Sequence, residues 1–104
     1  MQILESKIER DCKLIAENYG CILLKIQGVK GFPDRLLVGP HGQTMWMEFK
    51  KEGGTMSPIQ KHIQMKMMRM GHRVEEVDSK QLFMGLLQNL GIHTPIRKGE
   101  SNGW

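Results

Sequence analysis

Asp34, Glu48 and Lys50 are the residues of this 104-residue chain whose types and spacing could do chemistry. Asp34 follows Pro33, which lacks an N–H and has a fixed φ, so a carboxylate stands at the entrance to the apolar run Leu36-Leu37-Val38. Glu48 and Lys50 lie two apart in a second run. There Met45, Met47 and Phe49 alternate with Thr44, Trp46, Glu48 and Lys50 at the period of a strand, which puts Glu48 and Lys50 on one face. Gly39-Pro40-His41-Gly42 separates the two runs as a turn, so the whole reads as a hairpin with an acid on each strand. Hard divalent cations such as Mg²⁺ bind oxygen and are commonly held by one or two carboxylates plus a substrate phosphate. An ammonium beside such a pair would stabilise charge developing on the phosphate or orient an attacking water. The chemistry open to this set is phosphodiester hydrolysis. A turn aspartate and a solvated strand face would use the same residue types, so the elements around the hairpin must decide.

Those elements follow in order. Leu4, Ile8, Cys12, Ile15 and Tyr19 recur at helical spacing, and Gly20 supplies a stop. Glu5 and Glu9, four apart, share a flank bordering that apolar stripe, and either could lean toward the hairpin. Cys21 to Ile26 is the first strand, and a Gly-bounded loop leads from it to Asp34. After Lys50, a Gly-Gly connector runs to Ser57-Pro58-Ile59-Gln60. Ser at the N-cap, Pro at the first helical position and Gln three residues after the Ser predict a capping box and a helix to about Met70. Capping accounts for Gln60 completely, yet leaves it near the loop after Lys50. Ile59, Ile63, Met67 and Met70 form the expected packing face, with Met65 and Met68 widening it into a surface suited to self-association. His72 to Val77 is a strand reached through a helical crossover, which predicts parallel pairing with the Glu48 strand. Ser79 caps a last helix whose apolar face is Leu82, Phe83, Leu86, Leu87 and Leu90.

Composition fits this reading. Hydrophobic residues at 39% and charged residues at 25% are ordinary globular usage, and the length allows one domain. The expected division is a single folded unit over 1–91 and a flexible tail over 92–104. A formal charge of +4 around a knot of acids suggests a polyanionic partner. Lys25, Lys30 and Lys51 are candidates for phosphate contact, with Arg97 and Lys98 in the tail as optional ones. Cys12 and Cys21 match neither a disulfide scaffold nor a zinc pattern, and the four histidines read as surface or packing residues. No stretch resembles a signal peptide or a membrane span, so a cytoplasmic protein is expected.

The order of a helical Glu, Gly-x-Pro-Asp, Glu-x-Lys and a Ser-Pro-x-Gln helix resembles the PD-(D/E)XK nuclease superfamily. More narrowly it resembles the stand-alone virus-type replication-repair nuclease (VRR-NUC) domain found in phages. The resemblance runs from about Glu5 to Leu90. It implies an α/β fold with a restriction-endonuclease-like αβββαβα core, a mixed four-stranded sheet flanked by helices. It implies a Mg²⁺- or Mn²⁺-dependent endonuclease acting on DNA, with no small-molecule cofactor. Asp34 and Glu48 match the metal-binding carboxylates, with the Phe49 carbonyl as a further ligand, and Lys50 matches the catalytic lysine. Glu5 matches the acid of the first helix, with Glu9 in reserve, and Gln60 matches a glutamine kept near the site. Stand-alone members resemble Holliday-junction resolvases, which implies a homodimer acting on branched DNA. A restriction-type duplex endonuclease and an inactive DNA-binding module are the alternatives.

Overall fold

The computed structural model describes residues 3–96. Its elements are α1 (Glu5–Asn18), β1 (Ile22–Lys25), β2 (Arg35–Val38), β3 (Thr44–Phe49), α2 (Pro58–Arg69), β4 (Val74–Val77) and α3 (Lys80–Asn89). The four strands form one mixed sheet in the order β1-β2-β3-β4. β1, β2 and β3 pair antiparallel, as short connections allow, and β3 pairs parallel with β4 because α2 carries the chain across.

β2 and β3 form the expected hairpin. Its turn is closed by the Gly39 N–H donating to the Gln43 carbonyl at 2.7 Å, and Gly42 takes φ +85°. The register places Leu37 opposite Met45 and Leu36 opposite Trp46. Leu37, Met45, Met47 and Phe49 are fully buried and join Ile8, Cys12, Ala16, Phe83 and Leu87 in the core. The core thus lies between the sheet and the α1/α3 pair. On β3 the alternation predicts buried Met45, Met47 and Phe49, but Glu48 on the other face is buried too, and Trp46 is half-buried because the Phe32 ring packs edge-on against it with centroids 5.6 Å apart.

Two expected faces differ in the folded chain. On α1 the buried residues are Ile8, Cys12 and Ala16, whereas Leu4, the helix N-cap, is 68% exposed. On α2 only Met67 is buried. Ile59, Met65, Met68 and Met70 are exposed, because this helix lies over one edge of the sheet with no further layer outside it. Burial pushes the Cys12 thiol up to about 12 and raises that of Cys21 too, which leaves both as inert core residues.

The start of α2 is the capping box that the residue types predict: Gln60 N–H donates to Ser57 Oγ at 3.3 Å, and Ser57 N–H donates to Gln60 Oε1 at 2.9 Å. Ser57→Ala should therefore lower stability by about 1 kcal/mol, read as a shift in denaturant midpoint at constant slope. An unchanged midpoint would mean the cap is not formed in solution. At the other end of the chain Ile92 is buried and the Ile96 N–H donates to the Asn18 carbonyl at 2.8 Å, so the backbone stays docked beyond the boundary expected at residue 91. Arg97 and Lys98 lie outside the described residues. Among the described residues no helix is long and apolar enough to cross a membrane.

Candidate active site

Four segments converge where β2 begins and β3 ends. The loop before β2 is threaded through Gly31, at φ +81°, where a Cβ would meet Ile59 Cγ1 at 3.0 Å. Only glycine suits both that backbone angle and that approach to α2. Phe32 and Pro33 follow, then Asp34, whose carbonyl accepts the Ile26 N–H at 2.8 Å. In the β2–β3 ladder Arg35 faces Met47, so one step further Asp34 faces Glu48. Asp34 Oδ1 accepts the Phe49 N–H at 3.3 Å, which fixes the carboxylate against the end of β3. The Phe49 ring is in the core, so this residue borders the site through its backbone alone.

Lys50 lies just past β3 but stays in line, because its N–H donates to the Val77 carbonyl at 2.9 Å. Its Nζ is 3.8 Å from Glu48 Oε2 and donates to Gln60 Oε1 at 2.9 Å. That same Gln60 oxygen accepts the Ser57 N–H, so a single atom serves both the helix cap and the lysine. The two roles that sequence left open for Gln60 are compatible. From the other side, the start of α1 is tied down by the Glu52 N–H donating to the Ile3 carbonyl at 3.1 Å. This brings Glu5 and Glu9 to Asp34, the three offering carboxylate oxygens within 4.8 Å of one another.

Charge at this place is crowded and poorly solvated. Glu48 is 4% exposed, and its carboxyl is pushed up to about 7, first by burial and then by Asp34, against an opposing pull from Lys50. Burial is also the largest cause raising Asp34, countered by the Phe49 N–H and helped by Glu9. Glu5 is raised by burial, Glu9 and Asp34, with Lys50 opposing. Glu5 and Asp34, whose oxygens lie close together, and buried Glu48 beside them all hold their protons above the ordinary range and form a donor set suited to a hard divalent cation, which would displace those protons.

The sign for stability follows. Below about pH 4.5, the ordinary value for Glu, the Glu48 carboxyl is protonated whether the chain is folded or not and contributes nothing. Between there and about pH 7 the unfolded chain releases a proton that the folded chain keeps, so stability falls as pH rises. Above about 7 the full penalty, on the order of 3 kcal/mol, stands. Metal-free protein should therefore melt at lower temperature at pH 8 than at pH 5.5, and Glu48→Gln should flatten most of that slope. A wild-type melting temperature that rises over this interval would contradict the burial of an acid here.

Arg35 was not among the residues that sequence singled out. Its Nε and Nη2 both donate to Glu9 Oε2, at 3.0 and 2.6 Å. The signal was available: strand alternation sets Arg35 on the opposite face from Asp34, toward the core, where a charge needs a partner. Lys25, Lys30 and Lys51 are all exposed; Lys25 shares a ladder rung with Arg35, and Lys51 directly follows Lys50. His41, His62, His72 and His93 are exposed too, apart from the carboxylate cluster.

Fold and site together define a small α/β protein, with three helices and a mixed four-stranded sheet among the described residues, that gathers acids and a lysine at one end of that sheet. No protein-family model matches the chain. It is 32% identical over 82 residues to the protein named "Putative nuclease p44" of Acyrthosiphon pisum secondary endosymbiont phage 1, an overlap covering 77% of this chain and 88% of that protein. At that identity and coverage the chain belongs to the family of this phage protein.

Proposed function

We propose that this protein is a metal-dependent nuclease of the PD-(D/E)XK type, close to the stand-alone VRR-NUC domain, that hydrolyses phosphodiester bonds in DNA. The observation that carries this reading is the meeting of Asp34, buried Glu48 and Lys50 around one point, in a chain whose phage relative bears a nuclease name. Asp34, Glu48 and Glu5 are the residues that would hold Mg²⁺ or Mn²⁺, and the Phe49 backbone borders them. A bound cation of this kind supplies Lewis-acid polarisation of the phosphate and acidifies a water. Lys50 places a positive charge where the phosphate becomes more negative, and Gln60 Oε1 holds the ammonium in that position. The low exposure of Glu48 keeps bulk water from screening these charges.

The substrate class in this reading is branched DNA, recognised by shape and phosphate contacts. Among the described residues, three helices and four short strands leave little outside the core to read bases in the major groove. Exposed Lys25, Lys30 and Lys51 fit a role in holding phosphates. The exposed apolar residues of α2 and its C-cap, Ile59, Met65, Met68 and Met70, favour self-association, and a two-fold dimer would present two sites to opposite strands. Action in the cytoplasm, on phage or host DNA, completes the proposal.

The test is incubation of the protein with four-way junction, flap and linear duplex DNA, with and without Mg²⁺ or Mn²⁺. Cutting that requires the cation and favours the branched substrates is the expected result. Binding without cutting would make the chain a DNA-binding module, and tight sequence-dependent cutting of linear duplex would make it a restriction-type enzyme. Binding itself should weaken steeply with salt and vary little with sequence, since phosphate contacts release counterions whatever the bases. Salt-insensitive binding would count against this mode of recognition.

A further inference from the structure

Four carboxylates, Glu5, Glu9, Asp34 and Glu48, crowd the site, and α1 supplies two of them one helical turn apart. They are not equivalent. Glu9 Oε2 accepts two N–H groups from Arg35, across 26 residues of sequence, in a pair whose side chains are only 14% and 20% exposed. A guanidinium is a permanent charge that grips a carboxylate through a planar fork, and one this shielded from water is not readily exchanged for solvent. Glu5 has no such partner among the described residues; the only cation acting on its carboxyl is Lys50.

We propose that Arg35 is a positioning residue that occupies Glu9 Oε2 and offsets the Glu9 charge, so that Glu5 is the stronger cation ligand contributed by α1. The inference rests on the metal-dependent reading above. Arg35 can hold Glu9 because alternation sets it facing α1 while Asp34, just before β2, faces Glu48, so consecutive residues at the entrance to β2 serve opposite roles: one ligates, the other weakens a competing ligand. The pair also ties the first turns of α1 to the sheet, which fixes where the Glu5 carboxylate stands. With the Glu9 charge offset by Arg35, three carboxylates bring an uncompensated charge to the cation, and a higher ligand charge would bind it more tightly than turnover favours.

The experiment is a titration of metal-free protein with Mn²⁺ alone, followed by the electron paramagnetic resonance of the free ion, with folding of each variant checked by circular dichroism. Wild type should bind, and Glu48→Gln should lose that binding; if wild type binds no Mn²⁺, the metal-dependent reading fails and this inference with it. Given binding, Glu5→Gln should weaken it by about 10- to 100-fold, whereas Glu9→Gln, whose amide oxygen still accepts from Arg35, should stay within about threefold of wild type. Arg35→Met should bind Mn²⁺ about tenfold more tightly, since Glu9 then brings its full charge and both oxygens to the cluster, and the double variant Glu9→Gln/Arg35→Met should return to wild-type affinity. A structural role alone would not produce that rescue. The inference is overturned if Glu9→Gln weakens binding as much as Glu5→Gln, or if a folded Arg35→Met leaves affinity unchanged or lowers it. Should Arg35→Met fail to fold, the comparison of Glu9→Gln with Glu5→Gln decides alone.

Discussion

Glu48→Gln is expected to reduce cation-dependent cutting by about 10³-fold or more while making the metal-free protein more stable. The two effects have one cause. Glu48 is a buried acid facing Asp34, with Lys50 3.8 Å away as its nearest counter-charge. In the proposed mechanism its charge helps hold the cation, and losing several kcal/mol of stabilisation at about 1.4 kcal/mol per decade gives a loss of that size. Without a cation the same charge is a liability in the fold, because burial and Asp34 both work against it. A Gln of nearly the same shape can donate to Asp34 and removes the penalty, so the melting temperature at pH 8 should rise by several degrees. Activity measured on junction DNA in Mg²⁺ and melting measured in chelator should move in opposite directions. Unchanged turnover would remove Glu48 from the site. Equal loss of stability and activity would mean that it serves the fold alone. Asp34→Asn should match it in activity, and because the Asn oxygen can still accept the Phe49 N–H, it should fold normally.

Lys50→Met is expected to lower turnover by about 10²- to 10³-fold, the usual cost of removing one preorganised group aimed at developing charge. Its effect on Mn²⁺ binding should differ in kind from that of Glu48→Gln. Lys50 pulls the Glu48 carboxyl down against burial and Asp34, so without it Glu48 keeps its proton to still higher pH. Cation binding, which displaces that proton, should then require more alkaline solution, while binding at high pH stays close to wild type. The fold should survive, since Gln60 Oε1 loses one donor but still accepts from Ser57. A variant that cuts at the wild-type rate would mean that Lys50 has no part in the chemistry.

Much of the architecture rests on short-range chemistry and could be read along the chain. The Gly-Pro-His-Gly turn, the alternation through Met45, Met47 and Phe49, and the Ser57-to-Gln60 cap each depend on residues within a few positions of one another, and each appears as expected. The parallel pairing of β3 with β4 follows from a connection too long for a hairpin and long enough for a helix. Helix faces were harder. Periodicity marks an apolar stripe but not what lies against it, and α2 has neighbours along one side only, so Ile59 and Met70 remain in solvent.

At the site, residue types along the chain were enough to nominate Asp34, Glu48, Lys50, Gln60 and a glutamate of the first helix, because a carboxylate beside Pro and a Glu-x-Lys on a strand carry their chemistry in a few letters. What the letters could not supply is the difference in surroundings between Glu5 and Glu9. Both occupy the same flank of α1 and reach Asp34, but Glu9 alone is paired with Arg35, which is 26 positions away and meets it only when α1 packs on the sheet. The acidity of Glu48 was equally out of reach of the letters, since a carboxyl is raised by the atoms that exclude water from it, and those come from several distant elements at once.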